Sequence, residues 1–336
     1  MLNGHGDDLH KYKNIKVNFS SNVYNHFDHE PLFCHLAQKL DGIVSYPEPE
    51  PTSLEEAIAL RLAIQPEEVC VTNGATEAIY LTAQTFRRTK TAILMPAFSE
   101  YADACRLHEH DICSFYSLKQ IPQNARMIWI CNPSNPMGTV IEKKELTDTI
   151  KENSDKLFVI DQSYAPFTLS PLITPNEATA MENVILLHSM TKQFAIPGLR
   201  LGYATASAPL LKMLRLQRMP WSVNHLAIEA GHYLLAHEDE YSLDIETLVK
   251  EKDRVAERIN SLKAIEVWPS DTHILLCKLR IGTASALKDY LANEHGILIR
   301  DASNFTGLDS HFFRIAVQTE EENNILINAI EQFLII

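Results

Sequence analysis

The sequence predicts an α/β protein: a large three-layer domain on a mostly parallel sheet, followed by a small α+β domain at the C-terminal end. Three observations predict it. From about residue 68 to 190, short apolar runs alternate with amphipathic stretches of helical period, an order that lays strands in parallel and helices on both faces. Past about 223 the alternation gives way to long helical periodicity and then to short strands. A chain of 336 residues also exceeds what one small core needs and suits a large domain with a smaller one.

The elements follow in order. Residues 68–72 read as a strand and 75–86 as a helix; 91–95 is a strand and 99–108 a helix. Strands follow at 112–116 and 127–131, a helix at 143–153, and strands at 157–160 and 184–188. The region 223–262 is helical with a break near 237–241. Strands at 274–278, 297–299 and 312–317 and helices at 284–293 and 320–334 complete the chain. The segment Tyr46-Pro47-Glu48-Pro49-Glu50-Pro51 cannot be helix interior and is read as an extended connector. The expected division is an N-terminal arm at 1–45 that belongs with the small domain, a large domain at 46–240 and a small domain at 241–336.

Composition narrows the function. With 46% hydrophobic and 22% charged residues the balance is that of an ordinary globular protein. A net charge of −13 argues against nucleic acid or an acidic membrane as partner; an anionic ligand would need a local cluster of arginines. No run approaches about 18 apolar residues and no apolar signal core opens the chain, so a cytoplasmic address is expected. The six cysteines form no C-x-x-C pair and read as reduced thiols. The fourteen histidines lack any metal-ligand spacing, so no metal is expected.

In open α/β sheets ligands gather at the carboxyl ends of the strands. After the first strand comes Asn73-Gly74-Ala75-Thr76-Glu77, opening a helix whose free N–H groups suit a phosphate. After 95 comes Pro96-Ala97-Phe98-Ser99-Glu100-Tyr101, with an aromatic placed to stack on a flat ring. After 131 comes Asn132-Pro133-Ser134-Asn135-Pro136-Met137-Gly138, a rigid turn that holds its Asn side chains. Asp161-Gln162-Ser163-Tyr164 puts a carboxylate at the end of an apolar strand, where it needs a cationic partner such as a protonated pyridine nitrogen. After 188 come Ser189-Met190-Thr191-Lys192 and Ile196-Pro197-Gly198-Leu199-Arg200. A crowded lysine there can form an imine with an aldehyde, beside a phosphate held by Ser189, Thr191 and Arg200.

In this order and spacing the series resembles the fold-type I enzymes of the class I/II aminotransferase group, which use pyridoxal 5'-phosphate (PLP); the resemblance runs from about His5 to Ile336. It implies a seven-stranded, mostly parallel sheet and the following roles. Lys192 is the Schiff-base lysine and proton carrier. Asp161 pairs with the pyridine nitrogen, Asn135 and Tyr164 with the ring's 3'-oxygen, and Phe98 stacks on the ring. Gly74, Ala75, Thr76, Ser189, Thr191 and Arg200 cradle the phosphate. Tyr46 reaches it from a neighbouring subunit, which implies a homodimer with shared sites. Arg314 binds a substrate anion. Relatives usually carry Asp-Glu-Ala-Tyr or Asp-Glu-Ala-Phe where this chain has Asp161-Gln162-Ser163-Tyr164; Asp161 and Tyr164 are kept.

Two groups within the class share the layout: histidinol-phosphate aminotransferases and L-threonine-O-3-phosphate decarboxylases, which serve cobalamin synthesis. Several segments look more like the decarboxylases. They are His5-Gly6 upstream of Phe19-Ser20-Ser21-Asn22, Asn73-Gly74-Ala75-Thr76-Glu77, Ala195-Ile196-Pro197-Gly198, Pro220-Trp221-Ser222-Val223-Asn224 and Arg300-Asp301-Ala302-Ser303-Asn304-Phe305. This implies a small phosphorylated amino acid as substrate, held by His5, Asn22, Asn135, Arg300 and Arg314. Residues 24–34 depart from the pattern on that side. A third possibility is a non-catalytic PLP-fold binding or regulatory protein, against which the intact Lys192, Asp161, Asn135 and Arg200 stand.

Overall fold

The computed structural model describes residues 8–335. Thirteen strands occur along them: β1 (Val17–Asn18), β2 (Val69–Thr72), β3 (Lys90–Leu94), β4 (Asp111–Phe115), β5 (Met127–Cys131), β6 (Leu157–Asp161), β7 (Val184–Ser189), β8 (Gly202–Ala206), β9 (Ile265–Val267), β10 (Ile274–Leu279), β11 (Ile297–Leu298), β12 (Arg300–Asp301) and β13 (Phe312–Ala316). Seven form one sheet in the order β2-β8-β7-β6-β5-β3-β4. Only β8 runs against its neighbours. The mostly parallel seven-stranded sheet of a fold-type I enzyme is therefore present, and β8 is the one strand of it that periodicity did not mark.

The central strands are apolar on both faces because both are covered. Parity divides their residues. Met127, Trp129, Cys131, Val159, Ile185 and Leu187 join one core. Ile128, Ile130, Phe158, Ile160, Val184 and Leu186 join another. Alternate side chains of a strand point to opposite faces, so the sheet is the middle of three layers. The helices Gly74–Thr85 and Ser99–Leu107 supply Ala78, Ile79, Leu81, Tyr101 and Cys105 to the first core, and Lys143–Glu152 supplies Leu146 and Ile150 to the second. A separate cluster joins the helices Glu30–Gln38, Thr52–Leu62 and His225–Ala236 to β2.

A four-stranded antiparallel sheet in the order β12-β13-β10-β9 lies in the C-terminal part, and β1 pairs in parallel with β11. The strand expected at 297–299 is two short ones in different sheets, Ile297–Leu298 and Arg300–Asp301. The helix expected at 284–293 stops at Tyr290 and widens into a π-turn at Leu291–His295 that ends on Gly296 at φ +69°, a left-handed position that suits glycine. The break in the 223–262 helical region falls at Glu238–Tyr241, and the proline-rich segment is irregular up to the helix that starts at Thr52. Among the described residues no helix is long and apolar enough to cross a membrane, and no group of three or more His, Cys, Asp or Glu could hold a metal.

Candidate active site

The carboxyl ends of β2, β5, β6 and β7 open into a cavity of about 300 Å³. Its wall includes Asn22, Ala75, Thr76, Phe98, Asn135, Asp161, Tyr164, Ser189, Thr191, Lys192, Arg200, Arg300 and Arg314, all singled out from sequence. Among the described lining residues four are cationic and Asp161 is the one carboxylate. Within a chain of net charge −13 this is the local arginine cluster that an anionic ligand requires.

One end is a phosphate-sized cradle. The helix Gly74–Thr85 points its amino end at the cavity through Ala75 and Thr76, where N–H groups lack intrahelical acceptors. Opposite stand Ser189, Thr191 and Arg200. The Arg200 guanidinium donates to Thr191 Oγ1 at 3.4 Å and to the Pro197 carbonyl at 3.2 Å. Gly74 is not itself on the cavity wall, but it makes the approach possible: a Cβ there would lie 2.5 Å from Arg200 Nη2, and its φ is +78°. Gly202 has the same role on β8, since a Cβ on it would meet the Ala75 nitrogen at 2.5 Å.

The floor is set by sheet parity. Asp161 is the Cα partner of Cys131 in the β5–β6 ladder and shares the face of Val159, the face on which the helix Ser99–Leu107 packs. Asp161 Oδ1 accepts from the Ser163 N–H at 2.8 Å and Oδ2 from the Tyr101 hydroxyl at 2.6 Å. Tyr101 stacks on Trp129, ring centroids 5.2 Å apart, and meets Phe98 edge-on at 5.9 Å.

The two asparagines of the Asn-Pro turn divide their tasks. Asn132 Oδ1 accepts from the Ile141 N–H at 2.8 Å and clamps the loop. Asn135 reaches the cavity, where its Oδ1 accepts from Arg314 Nη1 at 2.5 Å. Arg314 Nη2 also donates to the Ser20 carbonyl. Asn22 Nδ2 donates to the Tyr164 hydroxyl at 2.9 Å. Burial pushes the Tyr164 phenol up to about 12, although Arg314 and the Asn22 amide favour its ionised form. Arg314 is pushed down to about 10, chiefly by burial, with Arg300 adding to it. Burial lowers Arg300 as well; its Nη2 donates to Asn304 Oδ1 at 2.8 Å and the guanidinium lies 5.5 Å from the Phe305 ring centroid. Lys192 Nζ donates to the Ser21 carbonyl at 2.6 Å and lines the same cavity.

The donor set suits PLP. An anion cradle, a buried carboxylate, a lysine and an aromatic face surround one cavity, and Asn22 Oδ1 and Arg314 Nε are buried in its wall without a hydrogen-bond partner, as groups awaiting a polar ligand are. The single chain does not test two further expectations. Tyr46 is 85% exposed, with its ring 5.2 Å from that of Trp221, and His5 lies outside the described residues. Tyr101, Ser21 and Asn304 are lining residues that sequence reasoning passed over. The first falls one helical turn after Phe98, and the last sits within a segment noted for Arg300 alone.

The chain is similar to known proteins over most of its length. A solved L-threonine-O-3-phosphate decarboxylase from Porphyromonas gingivalis is 37% identical with a TM-score of 0.93, over 95% of this chain and 100% of that one. A histidinol-phosphate aminotransferase of Thermoanaerobacter pseudethanolicus is 29% identical over 86% of this chain and 84% of its own. The adenosylcobalamin biosynthesis bifunctional protein CobDQ of Leptospira interrogans is 29% identical over 93% of this chain, which spans only 38% of that longer protein. The model of "Aminotransferase class I and II" matches residues 14–330, and the chain belongs to this PLP-using family.

Proposed function

We propose that this chain decarboxylates L-threonine O-3-phosphate to (R)-1-aminopropan-2-yl phosphate and CO2. The observation that carries the reading is the pair Arg300 and Arg314, Cα partners on adjacent strands that both line the cavity. Two like charges directly across a ladder repel, and here both are buried. A ligand with two anionic groups close together relieves that repulsion. Threonine phosphate carries a carboxylate and a phosphate two carbons apart. Histidinol phosphate carries one anion and an imidazole, and among the described lining residues only Asp161 at the cavity floor offers an acidic partner.

When bound, PLP supplies an aldehyde for the substrate amine and a conjugated ring that takes up the electron pair of whichever Cα bond stands perpendicular to it. The protein's part is pose and proton. Arg300 and Arg314, with Asn22 and Asn135 beside them, anchor the anions and so decide which Cα bond is turned. Asp161 holds the ring nitrogen's proton. Ser189, Thr191, Arg200 and the Ala75 and Thr76 N–H groups fix the cofactor phosphate. Asn135 and Tyr164 would hold the 3'-oxygen, and Phe98 would cover one face. Lys192 leaves the Ser21 carbonyl to return a proton to Cα after CO2 departs.

The same reading takes residues 46–240 as the cofactor domain and 1–45 with 241–336 as the substrate side. It also takes two copies of the chain to share their sites. Leu40, Ile43, Val44, Tyr46, Leu216, Met219 and Trp221 are exposed, and covering them with a second copy would bring Tyr46 toward the partner's phosphate cradle. A role in cobalamin synthesis follows from the product and is supported by the name of the Leptospira relative.

The test is product identification by mass spectrometry, with PLP-loaded protein, L-threonine O-3-phosphate and no keto acid. Aminopropanol phosphate and CO2 are expected. No product there, together with turnover of histidinol phosphate and 2-oxoglutarate, overturns the proposal in favour of an aminotransferase.

A further inference from the structure

We propose that Tyr101 is the positioning residue for Asp161: its hydroxyl holds the carboxylate in one plane, and thereby sets how firmly Asp161 grips the pyridine nitrogen. This rests on the reading of the cavity as a PLP site with Asp161 at that nitrogen.

The geometry is specific. Asp161 and Tyr101 are 4% and 1% exposed, and their hydrogen bond is 2.6 Å long. Buried polar groups are hydrogen-bonded, and among the described residues this carboxylate has two protein donors, one on each oxygen: the Ser163 N–H and the Tyr101 hydroxyl. Each carboxylate oxygen has two lone pairs, so a lone pair remains on each for a third donor from the cavity. With both oxygens already engaged, the carboxylate plane is defined before any ligand arrives. Burial and the neighbouring carboxylate push the Tyr101 phenol far above its ordinary range, so it serves as a donor and never as a competing anion.

The ring is equally constrained. One face lies on Trp129, 16° from parallel, and an edge faces Phe98. Trp129 stands on the same face of β5 as Cys131, the strand partner of Asp161. Tyr101 thus braces two groups assigned to the cofactor, Phe98 through its ring and Asp161 through its hydroxyl. A tyrosine placed only to fill the core would leave its hydroxyl to any acceptor; this one is aimed at the carboxylate of the cavity floor.

The experiment compares wild type, Tyr101→Phe, Asp161→Asn and the double variant, each stripped and titrated with PLP by absorbance, with steady-state kinetics alongside. Tyr101→Phe should weaken PLP binding roughly ten- to thirtyfold, as loss of a hydrogen bond to a charged group does, and lower kcat while KM for the substrate stays within about twofold. In the Asp161→Asn background the same substitution should change PLP affinity by less than about twofold, because coupled residues fail to add. Tyr101→His, which keeps a ring N–H donor, should regain part of the affinity that Tyr101→Leu loses. That pair decides the matter if Tyr101→Phe fails to fold. Equal losses in both Asp161 backgrounds, or equal PLP affinity for the His and Leu variants, would overturn the assignment. A wild-type chain that takes up no PLP overturns the reading of the cavity and this inference with it. Normal uptake by wild type and Tyr101→Phe alike overturns this inference alone.

Discussion

Arg300 and Arg314 are Cα partners on adjacent antiparallel strands, and both guanidiniums line the same cavity. They are 8% and 4% exposed, so water screens their repulsion poorly. Asp8 and Asp301 offset part of that repulsion at Arg300, and an anionic ligand in the cavity would offset it further.

Arg314→Ala should therefore lower kcat/KM for threonine phosphate by about 30- to 1,000-fold, the ~2–4 kcal/mol that loss of a buried charged partner costs. Arg314→Lys should recover little, since a point charge cannot span Asn135 and the ligand together. Steady-state kinetics on both variants check this, and wild-type values for Arg314→Ala would remove the arginine from the substrate site.

Lys192→Ala should reduce turnover by roughly 10²–10⁴-fold, the usual scale for loss of a positioned proton carrier. Borohydride reduction of the PLP-loaded wild type followed by peptide mapping should place the cofactor's mass on the peptide that contains Lys192. A label elsewhere would reassign the lysine.

Gly74→Ala tests the cradle. A side chain at φ +78° costs about 1–2 kcal/mol, and its Cβ would displace the Arg200 guanidinium. PLP affinity should fall about tenfold or more, a loss read by titrating stripped protein. An unchanged affinity would show that Arg200 does not need that approach.

His273 provides the pH test. It is fully buried and stacked on Phe167, with ring centroids 3.9 Å apart. Burial pushes it from 6.5 down to about 3, opposed by a hydrogen bond with the Asn22 backbone and aided by the charges of Lys192 and Arg314. The folded protein keeps it neutral, while the unfolded chain takes up a proton below pH 6.5. Its contribution is complete above pH 6.5 and is lost as the pH falls toward 3, at about 1.4 kcal/mol per pH unit. Urea unfolding at pH 7 and pH 5 should show the decline, and His273→Phe should flatten it; an equal slope in the variant would place the acid sensitivity in other groups.

Much of this molecule was readable from its residues. The strands that carry Asn135, Asp161 and Lys192 are apolar runs bounded by turn chemistry, and local hydrophobic pattern is what periodicity measures. The residues proposed to hold the cofactor line one cavity at strand ends, where α/β sheets gather ligands, and sequence order already pointed to those loops. β8 escaped because Gly202–Ala206 is short and rich in small residues, with no alternation to mark it. The split of 297–299 into strands of two sheets escaped because register is a matter of partners, not of local pattern.

Sequence by itself determined the class of chemistry: a lysine, a carboxylate, an aromatic and an anion cradle in fixed order. Only tertiary structure decided that Arg300 faces Arg314, that Tyr101 meets Asp161 and that Asn132 serves the loop while Asn135 serves the cavity. Each of these depends on strand register and on which face of the sheet a side chain shares. A one-residue shift in pairing would reverse every face, and that shift is governed by the packing of the whole core.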